Sequence, residues 1–478
     1  MKLFPTRLRT ESDGGGPATG DKKKRLRAIN LALLLIISLI CFGYIHSLNK
    51  TLYENLAYGY TDLVYFEQSL ANFIHGHGLI NTGRGEDRSL FSEHAYFSHF
   101  LVSLPFYWLF PRALTLFDLA TLHMLAALII VFYLAQRILK NTGLAWVCYL
   151  FFLPNTLLVT TAGCFWPWGF HSEVYYLAYF LALLYFWDKN KGAAILFFTL
   201  ALLTKETSAI PLLATMLYFT IKDRGKKRTA PVLAAICLLY FFLVTKWLMP
   251  YFGAGKTAYQ YYGLHLDTGR ALGSLLFPKI FFGYWKEILI HFHFLPVLSP
   301  QVWVLAVPDS LVNTLAEFTM DYGGPAKPSS WHSIPVYGFM IWGCLLSFNK
   351  LTKLLKKRAL IYSLSSVLIS FSVYLFLDSP VPQRTRLKGN PDVLASLKKV
   401  EQLTAGSDSL CVARDLAAPF MHKRYLYRFP VNYQKSEYIL CGHRVKEITG
   451  IQYEVVLKTP RFILLRNLDF EPKGTPPI

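Results

Sequence analysis

Residues 22–48 read KKKRLRAINLALLLIISLICFGYIHSL, a basic cluster followed by a long apolar run without an acidic side chain. About twenty apolar residues are what a helix needs to cross the hydrocarbon core of a bilayer. The run 29–48 is longer than a signal-peptide core, and no small-residue cleavage site follows it. The reading is a retained membrane anchor, and the rest of the chain agrees with it. Apolar residues make up 53% of 478 and charged residues 16%, with a mean hydropathy of +0.33, where a soluble domain carries about 25% charge. The 37 Phe, 29 Tyr and 10 Trp suit the interfacial belts where amphipathic rings meet lipid headgroups.

A net charge of +20 could suggest nucleic acid, but the basic residues gather in short runs between apolar stretches: 22–27, 222–228 and 350–358. That is the distribution of cytoplasmic loops. A nucleic-acid surface needs its cations on one continuous soluble face, so no nucleic-acid partner is read. Holding every basic cluster on the cytoplasmic side gives an all-α polytopic membrane bundle of about eleven spans. Segment 1–28 is the cytoplasmic basic N-terminus and 29–378 the transmembrane domain, with 49–96 its first extracytoplasmic loop. The apolar stretch 97–110 is too short for a span and reads as a re-entrant or interfacial piece. Spans then cover 114–139, 144–162 and 174–187. Residues 192–221 form a short helical hairpin with Lys205-Glu206-Thr207-Ser208 at its tip and a bend at Pro211. A span at 230–249, a Gly/Tyr-rich loop to about 270, two spans within 278–318, and spans at 331–348 and 359–377 complete the bundle.

Residues 379–478 change character, with more charge and a βαβ-like rhythm. A helix over 393–403 and strands at 409–413, 438–440, 453–457 and 462–465 predict a small α/β domain on the extracytoplasmic side. The localisation that follows is the cell (inner) membrane, multi-pass, with the N-terminus cytoplasmic and the C-terminus extracytoplasmic. Cys411 and Cys441 lie on or beside neighbouring strands, where either a disulfide or two buried thiols would fit.

Polar groups stand out where a membrane should forbid them. Leu63, Phe66, Leu70 and Phe73 or Ile74 recur at helical spacing after Asp62, predicting a helix on the membrane surface ended by Gly76 and Gly78. At its start Asp62 could take a proton from an acceptor hydroxyl, or could simply cap the helix. Glu93-His94 and His99 precede the interfacial segment, and His171 and Glu173 follow Trp166-Pro167-Trp168-Gly169. Such groups could bind a divalent metal, shuttle protons or serve as hydrogen-bonded fixtures; their spacing matches no recognised ligand set, and no cofactor is assigned. Lys205 and Glu206 interrupt apolar sequence, where an ionisable group costs about 2.5–3.5 kcal/mol at a helix centre. Either they pair locally, or Lys205 offers its charge to a lipid phosphate. His332, at the outer end of a span, is a weaker candidate.

The order of these features carries a resemblance over most of the chain. Tyr60 to Gln68, Glu93-His94-Ala95-Tyr96-Phe97-Ser98-His99, Phe170-His171-Ser172-Glu173, Leu203-Thr204-Lys205-Glu206 and Trp331-His332-Ser333 look like a prokaryotic membrane protein family, domain of unknown function 2079. Ser409 to Ala413, His422 to Pro430 and Tyr438-Ile439-Leu440 resemble that family's extracytoplasmic domain. The family is grouped with the GT-C glycosyltransferases. The resemblance implies a GT-C-like fold, a sugar donor carried on polyprenyl phosphate, a glycan, lipid or protein acceptor, surrounding membrane lipids, and transfer on the outer face. It matches Asp62 to the catalytic acidic residue and Lys205 to a lysine near the lipid phosphate; Glu93, His94, His99, His171, Glu173, Glu206 and His332 are the further candidates for the substrate pocket. The chain departs from the common acidic pair of GT-C loops, since Leu63 follows Asp62 and Glu67 lies five residues on. A non-catalytic transporter or scaffold of the same architecture is the competing expectation, although no inverted repeat is visible beyond the hairpin at Pro211.

Overall fold

The computed structural model describes residues 17–58, 62–82, 88–162, 169–222, 228–253, 277–316, 327–328, 330–355, 365, 367, 369, 391–442 and 445–472. Most of the loop expected to run to 270, most of the expected span 359–377, and Tyr60, Thr61, Trp166, Pro167 and Trp168 lie outside them.

The opening run is helical throughout, as α1 (Pro17–Glu54), and carries on past the expected span. Leu31, Leu33, Leu35, Leu39 and Ile40 stay exposed along it, an apolar surface that only lipid covers at low cost. Four described helices are long and apolar enough to cross a membrane, at 24–54, 113–139, 229–252 and 331–355, and four further apolar helices are shorter. The segment expected to be interfacial is one of the shorter ones, His99–Leu109. It opens with a π-helical turn and continues as α3 (Leu104–Leu109).

The bundle forms around α4 (Ala113–Leu139), which packs against α1, α5 (Thr142–Phe152) and α7 (Val174–Phe186). A short α6 (Thr156–Ala162) lies between α5 and α7. The expected hairpin is present as α8 (Lys191–Leu202) and α9 (Ala209–Lys222), with a 3-10 turn at Glu206–Ser208. Pro211 sits in the first turn of α9, where its missing N–H leaves no helical bond unmade. Next come α10 (Thr229–Leu243) and a short α11 (Met249–Phe252). The two helices expected within 278–318 are α12 (Phe277–His291) and α13 (Pro300–Ala316), and α14 (Ile334–Leu355) follows. Gly338 lets α14 approach α7 closely, since a Cβ there would lie 2.6 Å from the Phe180 ring.

The C-terminal region is a helix, α15 (Pro391–Leu403), and a five-stranded sheet. Two further short strands, β1 (Ile80–Asn81) and β2 (Arg88–Ser89), pair in the first loop. In the sheet, β3 (Ser409–Val412) pairs in parallel with β4 (Tyr425–Arg428) and β5 (Tyr438–Cys441). Then β7 (Ile463–Asn467) runs antiparallel between β5 and β6 (Tyr453–Lys458). Strand β4 adds to those read from sequence. Residues alternate between faces: Leu410, Val412, Leu426 and Leu440 join the main core, while Cys411, Tyr427, Ile439 and Cys441 build a second cluster. Cys411 and Cys441 are buried free thiols, so of the two arrangements open in sequence the structure has the thiols.

Two elements differ from their expectations, and the first is the stretch read as one span over 144–162, which a turn at 153–155 breaks into α5 and α6. The second, the helix over 62–74, is α2 (Asp62–Ile74), but Leu63 to Asn72 are all buried. It is sandwiched between the bundle and the C-terminal sheet, rather than lying on a membrane surface. Its polar side, Gln68 and Asn72, donates to the backbone carbonyls of Lys423 and Arg424. Chain from the far end of the sequence therefore occupies the position assigned to water and headgroups.

Candidate active site

Asp62 opens the first turn of α2, and Gly169 brings the next part of the site to it. Gly169 holds φ +79, and a Cβ there would lie 2.9 Å from the Leu63 Cβ. Only glycine combines that backbone conformation with that approach. Two residues on, His171 Nε2 lies 3.1 Å from Asp62 Oδ2, and its Nδ1 lies 3.7 Å from Glu173 Oε2. Both contacts are ion pairs when the imidazole is protonated. The imidazole stacks flat on Trp331, with centroids 3.5 Å apart and planes at 11°. Burial works against its protonation, but the Asp62 and Glu173 carboxylates prevail and raise it above the ordinary histidine value.

Glu173 continues the chain of contacts. Its Oε1 accepts from Lys205 Nζ at 3.1 Å and from the Tyr96 hydroxyl at 3.2 Å. Burial disfavours its charge, yet Lys205 and His171 hold the carboxyl well below the usual range. Lys205 thus takes its counter-ion from the start of α7, not from the adjacent Glu206. Glu206 instead meets His94 Nδ1 at 2.8 Å and accepts from the Ala95 amide at 3.0 Å. Burial opposes its ionisation, and His94 with Lys205 lowers its pKa nonetheless. Side-chain exposure separates the members: Asp62 is 27% accessible, while His171, Lys205 and Glu173 are 5–7%. Asp62 is the most accessible member of the series.

The remaining expected residues divide. His99 is fully buried, with its ring nitrogens beside the Phe66 carbonyl and the Ser103 hydroxyl, and Ser103 in turn reaches Tyr175. These contacts join α2 to the helix His99–Leu109. His332 lies beside Trp331, and its carbonyl accepts from Asn313. Glu93 is buried next to His94. Among the described residues no three His, Cys, Asp or Glu side chains gather as a metal site.

Sequence reading did not single out Trp331 as a stacking partner or Tyr96 as a donor to Glu173. It also passed over Asp309 on α13, although a lone carboxylate in an apolar helix is itself a signal.

The model of the family described as Predicted membrane protein (DUF2079) matches residues 52–457. No curated protein matches the chain. Among solved structures, ArnT from Cupriavidus metallidurans bound to undecaprenyl phosphate is similar with a TM-score of 0.54 and 14% identity, over 93% of this chain and 99% of that one. The apo state of ArnT from the same organism aligns with a TM-score of 0.49 and 13% identity, over 94% and 100% of the two chains. At 14% identity the first likeness is one of fold. The family match runs from the end of α1 through the first loop, the ion-pair chain, the bundle and most of the sheet, and the chain belongs to the DUF2079 family of membrane proteins.

Proposed function

We propose that this protein is an integral membrane glycosyltransferase of the GT-C type, moving a sugar from a polyprenyl-phosphate donor to an acceptor hydroxyl on the extracytoplasmic side of the cell (inner) membrane. The basic runs favour a cytoplasmic N-terminus and an extracytoplasmic C-terminus. The observation that carries the reading is the contiguous series Asp62–His171–Glu173–Lys205, an accessible carboxylate linked through charged side chains to a buried ammonium. A fold shared with ArnT, whose structure holds undecaprenyl phosphate, supports a lipid-phosphate donor.

The chemistry needs little more. Asp62 takes the proton of the acceptor hydroxyl as its oxygen attacks the anomeric carbon from the face opposite the phosphate, inverting that centre. The bond from anomeric carbon to phosphate oxygen breaks, and its electron pair leaves on the polyprenyl phosphate. Lys205 lies against that phosphate and neutralises the growing charge. Glu173 and His171 position Lys205 and Asp62. His94, Glu206, Glu93, His99 and His332 shape the surrounding walls.

The test is a deletion strain whose cell-envelope glycans are compared by mass spectrometry with those of the parent. Wild type restores the missing sugar, whereas Asp62→Asn accumulates as folded protein yet slows transfer by about a hundredfold or more, the contribution of a positioned base. Full restoration by Asp62→Asn would favour a transporter or scaffold instead.

A further inference from the structure

Two carboxylates meet the His171 ring at its nitrogens, Asp62 at 3.1 Å from Nε2 and Glu173 at 3.7 Å from Nδ1. Nothing intrinsic to histidine fixes the plane of that ring, because its χ2 torsion is broad. Rotation about χ2 would swing both nitrogens away from their carboxylates. A flat neighbour blocks that rotation: the Trp331 ring covers the imidazole at 3.5 Å between centroids, with planes at 11°. The Phe66 ring adds an edge contact at 5.7 Å and 78°. Stacking of this kind gains more when the imidazole is charged, since an aromatic face attracts cations.

The turn that carries Trp331 is itself braced from two other helices. Trp331–Ser333 is a 3-10 turn leading into α14. From α13, Asn313 Nδ2 donates to the His332 carbonyl at 3.0 Å and to Tyr284 Oη at 3.3 Å. From α12, the Tyr284 hydroxyl donates to Ser333 Oγ at 2.9 Å. Asn313, Tyr284 and Ser333 are all buried, so moving the turn would leave polar groups unpaired where water cannot replace the bonds. We propose that Trp331 is a positioning residue for the transfer: its indole fixes the plane of the His171 imidazole and so keeps Nε2 at the Asp62 carboxylate. This rests on the transfer reading above and adds to its machinery a residue from the start of α14.

The test has two readouts. The first is fluorescence of the full-length protein in detergent micelles, where a protonated imidazole in contact with an indole quenches its emission. Emission present in wild type and lost in Trp331→Phe belongs to Trp331. It should be weak at acid pH and rise through a transition above the ordinary imidazole value of 6.5, because Asp62 and Glu173 favour the protonated ring. The charged groups about the stack are Asp62, Glu173, Lys205 behind Glu173, and His332 at 5.0 Å from Trp331. His171→Gln should abolish the transition, Asp62→Asn should move it to lower pH, and His332→Gln should leave it in place. The second readout is transfer in the deletion strain. Trp331→Leu should slow it by about a hundredfold, the cost of misplacing a group by about 1 Å, and Trp331→Phe, which keeps an aromatic face, should restore most of the rate. A transition that survives His171→Gln, or wild-type transfer by folded Trp331→Leu, overturns the positioning role. If wild type itself restores no sugar, the transfer reading fails, and the fluorescence transition still decides whether Trp331 holds His171. Should Trp331→Leu not fold, Tyr284→Phe decides, since it keeps its ring and loses only the bonds of its hydroxyl: quenching and transfer both unchanged would overturn the proposal.

Discussion

The Thr82 hydroxyl donates to the Leu426 carbonyl at 2.7 Å and accepts from the Leu426 amide at 2.8 Å. Strand β4 is an outer strand of the sheet, and Thr82 makes the pair of bonds that a neighbouring strand would make there. Gln68 adds bonds to the Lys423 and Arg424 carbonyls, and Asn72 a second to Arg424. The helix that presents Asp62 is thereby gripped by the C-terminal sheet. Thr82→Val removes both of these bonds to the backbone of Leu426, which is fully buried, at about 1–3 kcal/mol. The expected result is faster proteolytic release of the C-terminal region from detergent-solubilised protein and a lower melting temperature. Unchanged cleavage and melting would show that the grip contributes nothing.

Lys205 and Glu173 should be worth more together than apart. Removing one partner of a buried ion pair leaves the other uncompensated, at about 3–5 kcal/mol. Lys205→Met should therefore destabilise strongly, with Glu173→Gln milder because the amide still accepts from Tyr96. The double variant should recover part of the loss of Lys205→Met. Strictly additive losses in a double-mutant cycle by denaturant unfolding would contradict the pairing.

Much of this architecture is local enough to read directly. The anchor helix, the hairpin with Lys205 at its tip and strands β3, β5, β6 and β7 each carry their own apolar period. Strand β4 does not announce itself, since Tyr425-Leu426-Tyr427-Arg428 is four residues long and follows a charged turn. The burial of α2 has no local sign at all. It depends on Gln68 and Asn72 finding carbonyls some 350 residues away. Likewise the local charge pattern suggests Lys205 with Glu206, while the structure separates them to Glu173 and His94. Charged side chains announced the site, and only the fold decided who meets whom.

Glu67 gives the stability a pH dependence of known sign. Burial raises its carboxyl to about 8, with the Tyr107 hydrogen bond pulling slightly the other way. Its folded value lies above its ordinary 4.5, so the folded state holds the extra proton and stability falls as pH rises from about 4.5 to 8. His171 acts in the same direction: its contribution is complete below the ordinary imidazole value and lost as pH climbs through its raised one. Glu206 acts oppositely, losing its contribution as pH falls through its lowered value. Glu67→Gln should flatten the decline in melting temperature between pH 5 and pH 8 and leave the variant more stable than wild type at the alkaline end. An unaltered slope would mean that Glu67 is already ionised at neutral pH.

Gly169 and Gly76 together separate backbone strain from close approach. Both hold a positive φ, +79 and +77, but a Cβ at Gly76 meets nothing within 4 Å whereas one at Gly169 meets Leu63 at 2.9 Å. Alanine at either position bears the left-handed penalty of about 1–2 kcal/mol. Only at Gly169 must the loop also withdraw from α2, and that withdrawal takes His171 away from Asp62. Gly76→Ala should therefore lower the melting temperature and leave transfer intact. Gly169→Ala should lower it further and reduce Asp62-dependent transfer in protein that is still folded. Equal activity in the two variants would mean that the spacing between the loop and the first turn of α2 does not govern the chemistry.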